Sequence, residues 1–213
     1  EEVVADAAWQ VGAPVGPPAQ QSDLIPAYIA HARTALTDQA ALRGSRIAID
    51  CANGATTSVA PRLFRELGFD VTVLGGQPDG RNINLGCGST HPEPLVAAVK
   101  AGGFRLGVAF DGDGDRAILV DHHGNLVDGD AVLLLCAKHF KSRGELRGDA
   151  VVATVMSNIG LEIGLQALGI ELVRTPVGDK YVSEVIGDRR LSLGGAQSGH
   201  VIFSEFLFTG DGI

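Results

Sequence analysis

The chain has 213 residues, 45% of them apolar and only 5% aromatic, with 29 glycines. That is room for one large α/β domain or two of about 100 residues each, with many tight turns. A net charge of −8 without a Lys/Arg cluster argues against nucleic acid and membrane surfaces as partners, and no apolar run approaches the roughly 18 residues of a membrane span.

Residues 1–22 open acidic and Ala-rich and pass through Gly12-Ala-Pro-Val-Gly-Pro-Pro18. The prolines break any period, so this stretch reads as a linker or the tail of a missing upstream element. Residues 24–41 predict a helix with Ser22 or Asp23 as cap. Arg46–Asp50 predicts a strand, 51–58 a turn, 59–67 a helix ended by Gly68, and 70–74 a second strand. Residues 79–92 form a long polar loop without a period, of a length that in compact domains is often functional. A helix over 93–102 and a strand over 106–110 complete a βαβαβ pattern.

Directly after that strand stands Asp111-Gly112-Asp113-Gly114-Asp115-Arg116. In an extended strand, carboxylates two residues apart would be spread by about 6.6 Å per step, too wide for one small ion. Gly112 and Gly114 can adopt φ > 0, which lets the backbone curl and gather the three carboxylates. Three hard oxygen ligands suit Mg²⁺, and Arg116 adds a fork of donors matched to a phosphate or carboxylate. A solvated acidic turn is the plain alternative. The flanking apolar runs Leu106–Phe110 and Ala117–Val120 instead place the loop at a strand end, where α/β proteins bind ligands. An EF-hand is rejected, because its sixth and twelfth positions would be Arg116 and His122 rather than Gly and Glu.

His122-His123 falls in a hairpin turn and reads as solvated. A second unit begins near Asp128-Gly-Asp130. It predicts helix 130–140, strand 150–155, helix 158–168, strand 170–174 and helix 179–187. Phe208-Thr-Gly-Asp-Gly-Ile213 reads as a helix start cut off after its cap, which predicts a chain truncated within a domain. The fold class expected is therefore two consecutive α/β domains with mostly parallel mixed sheets flanked by helices: residues 23–125 with the acidic loop, and 126–213. Three unevenly spaced cysteines, at 51, 87 and 136, fit reduced cytoplasmic thiols rather than a disulfide frame, and no signal peptide is visible.

Taken together, Asp111–Arg116, Asn82-Ile-Asn84 with Cys87-Gly-Ser-Thr90, Thr154-Val-Met-Ser-Asn158, Val177-Gly-Asp-Lys-Tyr181 and Gln197-Ser-Gly-His200 resemble the α-D-phosphohexomutase family, and within it the glucosamine branch. The resemblance covers nearly all of residues 24–213. It implies the second and third of the family's four domains, preceded by a short tail of the first. It implies interconversion of glucosamine 6-phosphate and glucosamine 1-phosphate through a phosphoserine and a bisphosphorylated intermediate, an early step toward UDP-N-acetylglucosamine and peptidoglycan. Asp111, Asp113 and Asp115 would hold Mg²⁺. Arg116 would orient the phosphoryl group or brace the loop. Lys180, Gln197, Ser198 and His200 would face the sugar. A hexose 1,6-bisphosphate activator, a homodimeric full-length form and a cytoplasmic location are also implied.

Two positions depart from the family pattern. Ala196 stands where Gly-Gly-Glu-Gln-Ser-Gly-His carries Glu, and Lys180 stands where Val-Gly-Asp-Arg-Tyr carries Arg. The first loses a carboxylate and the second a bidentate fork. The family's nucleophilic serine loop, of Thr-Ala-Ser-His-Asn-Pro type, does not occur in this sequence, so the chain alone is expected to be inactive. The alternatives are a phosphomannomutase/phosphoglucomutase, or a non-catalytic remnant that binds metal or sugar phosphate, with Ala196 marking lost catalysis.

Overall fold

The computed structural model describes residues 24–36 and 42–213. Helix α1, Ile25–Ala32, starts with a proline in its first turn and runs into a short 3₁₀ turn, Arg33–Ala35. It is shorter than the 24–41 expected. Leu36 is extended, and the Thr34 hydroxyl donates to the His31 carbonyl at 2.7 Å, a local bond that competes with helix continuation. The predicted caps Ser22 and Asp23, the tail 1–22 and residues 37–41 lie outside the described residues.

Five strands follow, β1 (Arg46–Asp50), β2 (Asp70–Leu74), β3 (Leu106–Phe110), β4 (Ala117–Asp121) and β5 (Leu126–Val127), in the spatial order β2-β1-β3-β4-β5. β1 pairs in parallel with β2 and β3, whereas β3–β4 and β4–β5 are antiparallel. Helices α2 (Ala60–Glu66) and α3 (Glu93–Gly102) make the crossovers. Side chains of β1 alternate between two cores, as period two requires. Ile47 and Ile49 face Val108, Phe110 and Ala60, while Ala48 faces Leu95, Val99 and Val120. Because Leu126 and Val127 pair with β4, the first sheet runs past the expected boundary at residue 125.

Asp128 caps α4 (Gly129–Arg143), its carboxylate accepting the Ala131 N–H at 3.0 Å. The second sheet has the order β7-β6-β8-β9, built from β6 (Ala150–Thr154), β7 (Glu171–Thr175), β8 (Leu193–Gly195) and β9 (Val201–Phe203). Here β6 pairs in parallel with β7 and β8, and β8–β9 is antiparallel. Helices α5 (Ile159–Ala167) and α6 (Asp179–Arg189) connect its strands. Val151 and Ala153 pack with Leu133, Leu161 and Leu165 on one face, and Ala150 and Val152 with Val182 and Ile186 on the other. The expected fold class, two α/β units with mixed sheets flanked by helices, is the one found. No helix forms over 208–213, although Asp211 Oδ1 does accept the Ile213 N–H at 3.0 Å, the bond a capping residue makes.

The two sheets share a plan. In each, a central strand has parallel neighbours on both sides, and a third strand turns into an antiparallel partner. The acidic loop is the β3–β4 turn and residues 196–200 are the β8–β9 turn. They meet where the Ala117 N–H donates to the Gly199 carbonyl at 3.1 Å.

Candidate functional site

The acidic loop curls as the glycines allow, with one difference from expectation. Gly114 has φ +82°, but Gly112 is not left-handed. Gly112 is required by crowding instead, since a Cβ there would stand 2.6 Å from Asn84 Nδ2 and 2.7 Å from Ile83. The long 79–92 loop therefore packs directly on the acidic loop.

The curl brings one carboxylate oxygen each from Asp111, Asp113 and Asp115 within 4.8 Å of one another. Asp111 is buried, Asp115 half-buried and Asp113 exposed. Asp111 is the loop's keystone. Its Oδ1 accepts the N–H groups of Gly114 (3.1 Å) and Arg116 (3.2 Å), and its Oδ2 accepts Arg116 Nε at 2.5 Å. Arg116 also lies 3.5 Å from Asp115. Burial pushes the Asp111 carboxyl up, but the Arg116 side chain and backbone bonds outweigh it and hold the group below its ordinary value. Asp115 goes the other way. Burial, then the charge of Asp111 and a bond to it, push it up against the pull of His200.

A divalent cation fits this donor set. The oxygens are hard and close together, burial and then the neighbouring charge of Asp111 raise the Asp115 carboxyl, and buried Asp115 Oδ1, 3.5 Å from Arg116 Nε, accepts no hydrogen bond. Such an ion would satisfy that orphaned acceptor.

His200, buried at 8% exposure, reaches Asp115 Oδ2 through Nδ1 at 3.0 Å, so the β8–β9 turn contributes directly to the loop's surroundings. Gln197 donates through Nε2 to Asp128 Oδ2 at 3.1 Å and accepts the Gly129 N–H at 3.0 Å through its backbone carbonyl. Ser198 is exposed beside it. Ala196 closes the turn with backbone bonds alone, its N–H to the His200 carbonyl and its carbonyl from the Gly199 N–H. Among the expected site residues, Asp111, Asp113, Asp115, Arg116 and His200 are thus gathered around one loop, and Gln197 and Ser198 lie on the adjoining turn. Lys180 is exposed at the start of α6, the helix that crosses from β7 to β8. His122 and His123 are exposed in the β4–β5 turn with ring centroids 3.7 Å apart.

Two organising residues escaped the sequence reading. Asp50, fully buried at the end of β1, accepts the N–H groups of Ala52 (2.9 Å) and Gly88 (2.8 Å), tying the 79–92 loop to the strand end. Ala52 and Asn53 both hold positive φ there, a strained pair of the kind that clusters at functional sites. Asp128 ties α4 to Gln197. Its signal was present as a capping residue before an apolar helix. All three cysteines are free, as expected, and burial pushes the Cys51 thiol up to about 11.

Residues 26–124 match the family described as phosphoglucomutase/phosphomannomutase, alpha/beta/alpha domain II, and residues 128–213 match domain III of the same family. The phosphoglucosamine mutase of Desulforamulus reducens is 51% identical over 191 residues, which are 90% of this chain and 43% of that protein. The phosphoglucosamine mutase of Solibacter usitatus is 56% identical over 172 residues, 81% of this chain and 39% of that one. A crystal structure of a phosphoglucomutase/phosphomannomutase family protein from Burkholderia thailandensis superposes with a TM-score of 0.79 at 30% identity, covering 91% of this chain and 42% of its own. The chain spans less than half the length of these relatives.

Proposed function

Because the chain belongs to the phosphoglucomutase/phosphomannomutase family and carries its α/β/α domains II and III, we propose that it is the central part of a phosphoglucosamine mutase. The full protein would interconvert glucosamine 6-phosphate and glucosamine 1-phosphate. In this reading a first unit, ending with β5 at Val127, supplies the metal loop and a second, from Asp128 on, supplies the sugar-facing turn. The observation that carries the proposal is the gathered triad Asp111, Asp113 and Asp115 with Arg116 locked onto Asp111 and His200 onto Asp115.

The three carboxylates would hold Mg²⁺, which when bound neutralises charge on a transferring phosphoryl group. Arg116 keeps Asp111 ionised and retains N–H donors that Asp111 does not use, so it can orient a phosphoryl oxygen. His200 holds Asp115 through Nδ1, and its ring lies against Gly210, where a Cβ would stand 2.4 Å from Nε2. Gln197 and Ser198 offer amide and hydroxyl groups for sugar hydroxyls, and Lys180 offers a cation from the first turn of α6. The phosphorylated nucleophile belongs to a part of the family absent from this sequence. The cytoplasmic location, the homodimer and the hexose 1,6-bisphosphate activator belong to the same proposal. Among the described residues no helix is long and apolar enough to cross a membrane.

The test is an assay of the full-length protein on the 6-phosphates of glucosamine, glucose and mannose, with Mg²⁺ and a hexose 1,6-bisphosphate. The expected result is preferred turnover of the amino sugar. Preferred turnover of glucose or mannose phosphate would assign the phosphoglucomutase/phosphomannomutase activity instead. No turnover of any of the three would favour the remnant.

A further inference from the structure

The acidic loop is glycine-rich, and something must hold it in its curl. Asp111 does part of this from inside. From outside, residues 210–213 cross the loop. The Gly212 N–H donates to the Gly114 carbonyl at 2.9 Å, while the Gly114 N–H donates to Asp111 Oδ1 at 3.1 Å. Gly114, the one residue between Asp113 and Asp115, is therefore clamped through both its N–H and its carbonyl. The crossing is close. A Cβ on Gly212 would stand 2.8 Å from the Arg116 carbonyl oxygen and 3.0 Å from that of Gly114.

The crossing segment is itself anchored at both ends of Asp211. Asp211 Oδ1 accepts the Ile213 N–H at 3.0 Å, and Oδ2 accepts the Tyr28 hydroxyl at 2.7 Å, from a residue 183 positions away on α1. Ile213 packs against the apolar cluster of Ile29, Leu63 and Leu67, under the same helix. A cavity of about 310 Å³ lies between α1 and the loop, lined by Tyr28, Thr56, Asp113, Asp115 and Asp211, so the loop has no continuous packing there to hold it. Burial, then the bond to Asp211 and its charge, push the Tyr28 phenol up.

We propose that residues 210–213 form a strap that pre-organises the acidic loop for a divalent cation, and that Tyr28 of α1, by anchoring the strap through Asp211, is a positioning residue for that site. The proposal rests on the metal assignment of the triad. Physically, the strap fixes the backbone of Gly114 before the ion arrives, so that ordering cost is not taken from binding. It also makes metal affinity depend on a helix that contributes no ligand.

Binding of Mn²⁺, with Mg²⁺ as competitor, is measured by the electron paramagnetic resonance signal of the free ion, on this chain and on Tyr28→Phe, Gly212→Ala and Arg33→Ala. Tyr28→Phe keeps the buried ring and removes only the hydroxyl. Gly212→Ala pushes the strap off the loop. Arg33→Ala removes a different contact of the same helical segment, its pair with Glu66 at 3.4 Å. The expected result is Mn²⁺ binding weakened at least about fivefold by each of the first two and unchanged by the third. Faster amide exchange at Gly212 in Tyr28→Phe would report the loosened strap independently of metal. Affinity unchanged in both strap variants, or weakened as much by Arg33→Ala, overturns the strap. A parent chain that binds no Mn²⁺ overturns the metal assignment and the proposal with it.

Discussion

Asp111 differs from the two carboxylates that follow it in what it already holds. It accepts three protein donors in a buried setting, whereas Asp113 is exposed on the same loop. Removing charge from the two should therefore have unequal effects on folding. Asp111→Asn turns one acceptor oxygen into a donor facing Arg116 and is expected to cost about 1–3 kcal/mol. Asp113→Asn should lie within about 0.5 kcal/mol of the parent. Urea denaturation of both variants checks this, and equal midpoints would mean that Asp111 is not the loop's structural anchor. Ala196 is the second residue of interest. Its turn is closed by backbone bonds, which a change of side chain does not itself remove. On the proposed function, Ala196→Glu in the full-length protein should raise kcat/KM on glucosamine 6-phosphate roughly tenfold or more, through one or two charge-assisted hydrogen bonds to sugar hydroxyls. A loss of activity would mean the turn has been rebuilt around alanine. The long-range bonds of Asp50, Asp128 and Asp211 were hidden in the sequence for one reason. Their partners Gly88, Gln197 and Tyr28 lie 38, 69 and 183 positions away, and no local pattern reports such a bond.

The elements were legible wherever a run was long enough to show a period. β1, β2, α3 and β3 fall where the sequence placed them, and β6, α5, β7 and α6 do so within about two residues. The strands left out are β5, β8 and β9, of two or three residues each, too short for alternation to register. They matter, because β8 and β9 create the turn that brings His200 to Asp115. The 3₁₀ helix Ala55–Ser58 was read as a turn, which its polar sequence also satisfies. At this scale the junction of α4 with the 196–200 turn is the most sharply constrained contact. A Cβ on Gly129 would stand 2.0 Å from the Ala196 carbonyl oxygen and 2.9 Å from the Gly199 nitrogen. Gly129→Ala is thus expected to cost about 1–3 kcal/mol by overpacking and to displace the turn. A denaturant midpoint equal to that of the parent would show that the turn yields freely and does not hold His200 in place.

As a whole, the molecule joins two similar sheets by their antiparallel corners, and the candidate site lies at that joint. The acidic loop and the 196–200 turn occupy matching places in the two sheets, so their meeting follows from the shared plan. Each sheet has its own pair of cores, and Ile213 from the end of the second unit packs against the first unit's apolar clusters. The chain is accordingly expected to fold while remaining catalytically silent, since phosphoryl transfer needs a nucleophile in line with the acceptor and the family's serine loop is not in this sequence. Glucosamine 1-phosphate formed from glucosamine 6-phosphate above the blank, with Mg²⁺ and hexose 1,6-bisphosphate present, would place the nucleophile within these residues. The central claim is narrower than that chemistry. It is that Asp111, Asp113 and Asp115 form a divalent-cation site. Titration calorimetry of Mg²⁺ into this chain and into Asp113→Ala tests it most directly, because Asp113 is exposed and its loss leaves the fold in place. The account predicts weak one-to-one binding by the parent chain and none by the variant. Equal binding by both proteins would contradict it.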